Sequence, residues 1–412
     1  MRRPLLAVLL VSAAFAQTDF YLKSADRVVF YGDSITDQRL YTTFTETFVV
    51  TRFPTMNVTF THSGWGGDRV AGGGGGPIDL RLERDVFPYR PTVVTIMLGM
   101  NDGSYRAFDK ALYDIYCQGM AHIVQSLKDH APGVRITLIE PSPYDDVTRS
   151  PNFQGGYNEV LVKYGECLLE LGAMDNLLVA DLNTAVVAAL RRANAADPQQ
   201  AAKLIPDRVH PGAGGHLLMS AELLKAWKAP ALVSSVTIDA VAGKSSEVKN
   251  ASVTGVKNET SLQWDETEKA LPMALDLKDK LVKLAIDSSD YLDRLDQEEL
   301  RVTGLKAGNY ALTIDGVDAG TYAAEDLAKA INLAAFDTPM LRQAMDVHAL
   351  TLKHNNIHFS RWRTLQVPMA AEPYPSKEKA MSDLDTLERE IVDKQRAAAQ
   401  PKPHHFELTA RP

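Results

Sequence analysis

The sequence predicts an α/β fold of three layers around a central parallel sheet, extended by a mixed α+β and helical C-terminal region. Three observations carry this. Short apolar runs alternate with helical patterns through about residue 230, the order that builds βαβ units. The run Thr92–Leu98 is apolar almost throughout, as suits a parallel strand covered on both faces. After about residue 232 the alternation stops.

In chain order, residues 26–34 read as a buried strand ending in a turn, followed by an amphipathic helix from Asp37 to Arg52. Met56 to His62 is a second strand. Ser63 to Gly76 is a glycine-rich loop whose run Gly72 to Gly76 suggests a mobile rim, and Ile78 to Val86 is helical. The strand after Pro91 leads to a helix over Phe108–Asp129, a strand over Arg135–Ile139, a helix over Tyr157–Leu171 and a last strand over Leu177–Asp181. Beyond this point Val236–Val241 is a candidate strand and the polar stretch Lys244–Thr267 a loop or irregular β region. Leu271–Arg294 reads as helix. A β pair around Leu305–Gly308 precedes helices over Ala324–Leu333, Pro339–Arg363 and Lys377–Ala399. From Pro401 onward a frayed tail is expected.

The first 16 residues form a separate unit. Arg2 and Arg3 precede the apolar Leu5–Val11, and Ala14-Phe15-Ala16 is a small-residue cleavage pattern, together the signature of a secretory signal peptide. The expected organisation is therefore a leader over 1–16, a first domain over 17–232 and an extension over 233–412, in a secreted or periplasmic protein. No later apolar run reaches 18 residues, so no membrane span is expected. Over the 412 residues the net charge is −8, which disfavours a nucleic-acid partner. At 45% hydrophobic and 23% charged the chain is not a disordered one. Cys117 and Cys167 are the two cysteines. Export permits a disulfide, while two buried free thiols on helices fit as well. No Cys or His spacing reads as a metal site, and no cofactor is implied. Trp362 between Arg361 and Arg363 reads as core with flanking arginines. His404-His405 falls in the expected tail. Oligomeric state is not written in the chain.

Four segments can carry chemistry. Ser34, just past a buried strand at the mouth of a helix, is placed as a nucleophile, although Asp33-Ser34 also suits an ordinary N-cap. His210 has the pKa of a general base, and Asp207, three residues ahead, can fix its tautomer. Gly64-Trp65-Gly66-Gly67-Asp68 and Gly99-Met100-Asn101-Asp102 can present backbone N–H groups and a carboxamide to a developing oxyanion, though both are turn-forming sequences.

Taken together, Gly32-Asp33-Ser34, Gly67, Gly99-Met100-Asn101-Asp102 and Asp207-Arg208-Val209-His210 resemble, in content and order, the blocks of the SGNH (GDSL-type) hydrolases. The resemblance covers about residues 25–230. It implies a flavodoxin-like α/β/α sandwich and ester hydrolysis without a metal or cofactor. It assigns Ser34 as nucleophile, His210 as base and Asp207 as its orienting group. The oxyanion hole falls to the Ser34 and Gly67 N–H groups and the Asn101 side chain. Gly67 is preferred to Gly64 because it directly precedes an Asp. Trp65, Met100, Tyr105 and Tyr144, near the motif ends, are candidate substrate-binding residues. The expected substrate is a small-molecule or polysaccharide ester, with carbohydrate O-deacetylation foremost. A general short-chain or lipid esterase is the alternative, and a retired hydrolase core that binds glycan or protein is a further one.

Overall fold

The computed structural model describes residues 20–371 and 373–411; the leader over 1–16 lies outside them. Five parallel strands form the first sheet: β1 (Arg27–Gly32), β2 (Thr59–Gly64), β3 (Val93–Met97), β4 (Arg135–Ile139) and β5 (Leu178–Ala180), in the order β2-β1-β3-β4-β5. All five residues of β3 are buried, as its apolar run predicts. The order reverses between β1 and β3, and ligands of such sheets bind in the crevice beyond the strand ends at that point. Helical layers cover the sheet, making the predicted three-layer sandwich. They include α1 (Ser34–Asp37), α2 (Leu40–Arg52), α3 (Ile78–Asp85), α4 (Lys110–His130), α5 (Gly156–Asp175), α6 (Thr184–Ala196) and α7 (Ala213–Ala226).

The helix expected from Asp37 to Arg52 is split. Arg39 adopts φ +61°, its N–H bonds the Thr36 carbonyl, and α2 restarts at Leu40. Cys117 on α4 and Cys167 on α5 are joined as a disulfide, which resolves the open choice. The run Gly72–Gly76 is not a loose rim. Gly72–Gly73 pairs with Gly76–Pro77, and a Cβ on Gly75 would fall 2.7 Å from both the Trp65 ring and the Arg81 side chain.

Beyond residue 231 the chain is more β-rich than its composition suggests. The polar stretch expected as loop or irregular β is regular strand: β7 (Lys244–Lys249), β8 (Ala251–Asn258) and β9 (Leu262–Glu268) follow β6 (Leu232–Asp239). Polar residues dominate because β7 and β8 bury no residue on either face, while β9 alternates buried and more exposed positions. The helix expected over Leu271–Arg294 begins only at Lys280, as α8 (Lys280–Asp287), with a short α9 (Tyr291–Leu295). The segment before it is buried coil. There Leu271 N–H bonds the Thr51 carbonyl and Met273 N–H bonds the Asp296 carboxylate, so long-range partners replace the helical ladder. The chain continues through β10 (Gln297–Thr303), β11 (Asn309–Ile314), β12 (Val317–Ala323), α10 (Ala324–Lys329) and α11 (Pro339–Phe359). A π-helical stretch (Ser360–Gln366) leads to α12 (Pro375–Ala398).

The expected frayed tail is instead β13 (Pro403–Arg411), the middle strand of a sheet ordered β8-β9-β13-β11-β12. Phe406 and Leu408 point into the second core, and His404 and His405 pair with Asp315 and Asp265. Alternation overrode the terminal position.

One buried feature of this region sets a pH dependence. Glu266 and Glu268 on β9 and Glu298 on β10 lie together, all 5% exposed or less. Burial is the main cause that raises all three carboxyl pKa values, and mutual repulsion adds to it for Glu266 and Glu298. A raised folded pKa means that the native state holds protons which the unfolded chain releases above about pH 4.5. Their contribution is complete below that pH and is lost as pH rises through the folded values. Unfolding free energy should thus fall between about pH 5 and about pH 8, by about 1.4 kcal/mol per pH unit for each retained proton. Urea unfolding of Glu298→Gln, which keeps shape and removes one titration, should give a flatter profile and a higher midpoint at alkaline pH. Identical slopes would contradict this.

Candidate active site

The C-terminal ends of β1, β2 and β3 deliver three of the four predicted segments to one place. Ser34 follows β1 directly as the first residue of α1, with Asp33 as N-cap accepting the Ile35 N–H at 3.0 Å. The Asp33 carboxyl is 1% exposed, and desolvation lifts its pKa to about 7. Gly64 closes β2 where a Cβ would lie 2.2 Å from the Asp37 backbone nitrogen, so only glycine lets the strand end meet α1.

The fourth segment, between α6 and α7, comes to the same point. His210 Nε2 is 2.8 Å from Ser34 Oγ, and His210 Nδ1 is 2.7 Å from Asp207 Oδ2. The other Asp207 oxygen accepts the Val209 and His210 N–H groups at 2.9 and 2.7 Å. Desolvation would raise the Asp207 pKa, but these hydrogen bonds outweigh it and hold the carboxylate below its ordinary value. The turn needs Arg208 at φ +74°, a left-handed conformation that costs a non-glycine residue roughly 1 kcal/mol. Its guanidinium ties the turn down on Asp146 and the Ser150 carbonyl.

Gly67 has φ +79°, and a Cβ there would meet nothing within 4 Å, so it fronts open space. Among the described residues neither the Gly67 N–H nor the Ser34 N–H meets an acceptor. The Asn101 carboxamide is aimed from both ends: Nδ2 donates to the Asp68 carbonyl at 3.0 Å and Oδ1 accepts from Tyr105 O–H at 2.9 Å. Ser104 and Tyr105 both lie near φ +55°, which folds Tyr105 back onto Asn101. One Nδ2 hydrogen is left over. Chemically, the arrangement couples a hydroxyl to an imidazole and a carboxylate, beside three N–H donors with capacity to spare.

The candidate substrate-binding residues are placed unequally. Tyr105 is 42% exposed at the rim and packs on the largely buried Tyr144. Met100 is core, 1% exposed; the chain turns it inward while its carbonyl accepts from Tyr157 O–H. Trp65 has its ring occupied by cations, with the Arg363 guanidinium carbon 3.0 Å from its centroid and those of Arg81 and Arg84 at 5.1 and 5.2 Å. It is a packed post rather than a free stacking platform.

Arg81 is a residue that sequence reading passed over. It is fully buried on α3, bonding Asp68 Oδ2 and the Ser63 carbonyl, each at 2.8 Å, and also Asp85. No local motif marks it; only its place on the inner face of a predicted helix hints at burial. Removing one side of a buried ion pair costs about 3–5 kcal/mol because the partners stay buried and unpaired. Arg81→Met should lose stability on that scale in urea unfolding. Arg84→Met, at a more exposed side chain, should lose far less. Equal losses would refute this role for Arg81.

Residues 30–218 match the model of the GDSL-like lipase/acylhydrolase family. The chain is similar to an acetylxylan esterase from Geobacillus stearothermophilus, 25% identical over 224 residues, which span 49% of this chain and 94% of that relative. Among solved structures it is similar to a gut microbial diltiazem-metabolizing enzyme, with 25% identity and a TM-score of 0.80. That match covers 95% of this chain and all of the other, so the C-terminal architecture recurs with the hydrolase fold.

Proposed function

From the premise that the chain belongs, through residues 30–218, to the GDSL-like lipase/acylhydrolase family and is an ester-bond hydrolase, we propose that it works through Ser34, His210 and Asp207 on short acyl esters of carbohydrates. The observation that carries this is the continuous hydrogen-bonded line from Ser34 Oγ through the His210 ring to Asp207. Ser34 Oγ attacks the ester carbonyl carbon as its proton passes to His210 Nε2, and Asp207 stabilises the imidazolium. The oxyanion is held by the Ser34 and Gly67 N–H groups and Asn101 Nδ2. The carbonyl re-forms, the C–O bond to the alcohol breaks, and His210 returns its proton to that oxygen. Water, deprotonated by His210, then releases the acid and restores Ser34.

An open site and the acetylxylan esterase relative support the substrate class. The Asp207 and His210 side chains are 55% and 35% exposed, so a bulky alcohol can approach. Tyr144 and Tyr157 pack on each other at 5.2 Å and on Tyr105 beside Asn101, an aromatic wall that suits a small acyl group. Export through the leader expected over 1–16 would bring the site to extracellular polymers.

Ser34→Ala should cut turnover of 4-nitrophenyl acetate by at least about 1000-fold with folding intact, and Asp207→Asn should leave measurable activity. On nitrophenyl esters of rising chain length, rates should fall steeply beyond butyryl, while acetylated xylan releases acetate. A preference for octanoyl or longer chains would instead identify a lipid esterase. Wild-type rates in Ser34→Ala would overturn the assignment altogether.

A further inference from the structure

We propose that Trp362 and Arg363, from the C-terminal region, are positioning residues that hold the loop Gly64–Asp68 in shape for the reaction at Ser34. This rests on the reading above, in which the Gly67 N–H receives the oxyanion.

The loop needs an external support. Gly66 and Gly67 are exposed, and Gly67 has no side chain to anchor it. Its fixed points are the residues on either side, Trp65 and Asp68. Asp68 is held by Arg81 from within the hydrolase fold. Trp65 is flanked by Arg81 and Arg84 from the hydrolase fold and is gripped more closely from the other half of the chain. The π-helical stretch Ser360–Gln366 continues α11 and arrives directly over the loop; such widened turns are frequent at functional sites. Trp362 is 1% exposed and meets Trp65 edge to face, with centroids 5.8 Å apart and planes at 80°. Its Nε1 donates to Asp85 Oδ1 at 2.6 Å, joining the carboxylate that Arg81 also binds. The Arg363 guanidinium carbon sits over the Trp65 ring, and Arg363 Nη2 is 3.9 Å from Asp37 Oδ2. That same oxygen accepts the Gly66 N–H at 3.2 Å.

Two adjacent residues therefore brace the leading side of the glycine pair, opposite the side that Arg81 holds through Asp68. They reach Trp65 by stacking and Gly66 through Asp37, and neither is near enough to replace Ser34, His210 or Asp207. Pre-set donors are what an oxyanion hole contributes, and a loop free to shift by about 1 Å loses much of that contribution. Substrate affinity, by contrast, has little dependence on donors that tighten only in the transition state.

The test uses the full chain. With 4-nitrophenyl acetate, Arg363→Ala should lower kcat by about 10-fold or more while KM stays within about two-fold. Arg363→Lys, which keeps a cation over Trp65, should recover a substantial part of that loss. Inactivation by a 4-nitrophenyl phosphonate forms a Ser34 Oγ–P bond and expels nitrophenolate, so it calls on the same donors. It should slow in parallel, and it also counts working sites. Trp362→Phe keeps the ring and removes the bond to Asp85, so it carries the test if Arg363→Ala does not fold, with an expected kcat loss of about 3–10-fold. The proposal is overturned if kcat per titrated site is unchanged in the variants that fold, or if KM alone moves. Ser34→Ala run alongside separates the failures: wild-type activity there sinks the site itself, whereas its loss beside an unaffected Arg363→Ala sinks only the positioning role.

Discussion

A guanidinium with no exposed surface is the constraint around which the site region is organised. The Arg81 cation would be strongly destabilised in a protein interior unless its donors and charge were matched. The fold answers with Asp68 from the loop after β2, Asp85 from the same helix one turn on, and the Ser63 carbonyl at the strand end. Three rings, Tyr31, Trp65 and Trp362, face its carbon at 5.0 to 5.8 Å, each offering the negative face of a π system. These partners come from β1, β2, the glycine-rich loop, α3 and the C-terminal π-helix. Satisfying one charge therefore fixes the relative placement of four separated stretches of chain, since β2 runs straight into the loop. The Asp68 carbonyl, set in place this way, in turn accepts from the Asn101 amide.

What could be read from the chain, and what could not, follows the range of the forces involved. The strands of the parallel sheet were legible because full burial writes itself as an unbroken apolar run, as in Val93–Met97. The Asp207–His210 pair was legible because its geometry is a single turn closed by its own backbone. The glycines at strand ends were legible as turn formers. Trp362 was legible as core but its role, like that of Arg81, was not, since both depend on partners hundreds of residues away in the chain. Leu271–Leu277 misled because Pro272 is tolerated in a first helical turn and the apolar residues after it resemble a helix, while here the backbone bonds Thr51 and Asp296. The terminal strand misled for the opposite reason. Its alternation of His404, Phe406 and Leu408 with polar residues was present, but nothing local says that a chain end will fill the middle of a sheet.

The same long-range logic bears on whether residues 233–412 are an appendage. Helix α2, which follows the nucleophile's own helix, carries Glu46 and Arg52 inward, each at most 5% exposed. Glu46 is met by His62 from its own half, but also by His354 and Gln395 from α11 and α12. Burial alone would raise its pKa; the His354 cation and the hydrogen bonds from His354 and His62 together more than reverse this and keep it a carboxylate. Burial likewise disfavours a charged His354, yet Glu46 and Glu388 hold its pKa up near 9. Arg52 in turn pairs with Asp296 and donates to the Leu295 carbonyl. A cut at residue 232 would remove His354 and Gln395 from Glu46 and Asp296 from Arg52 and open what had been interior to water. The acetylxylan esterase relative aligns with 49% of this chain over 94% of its own length, so the partners that α2 finds beyond residue 232 lie outside that shared part. Helix α2, next in the chain after the helix that presents Ser34, has its buried charges met from the C-terminal half, so the two regions are joined through their interiors.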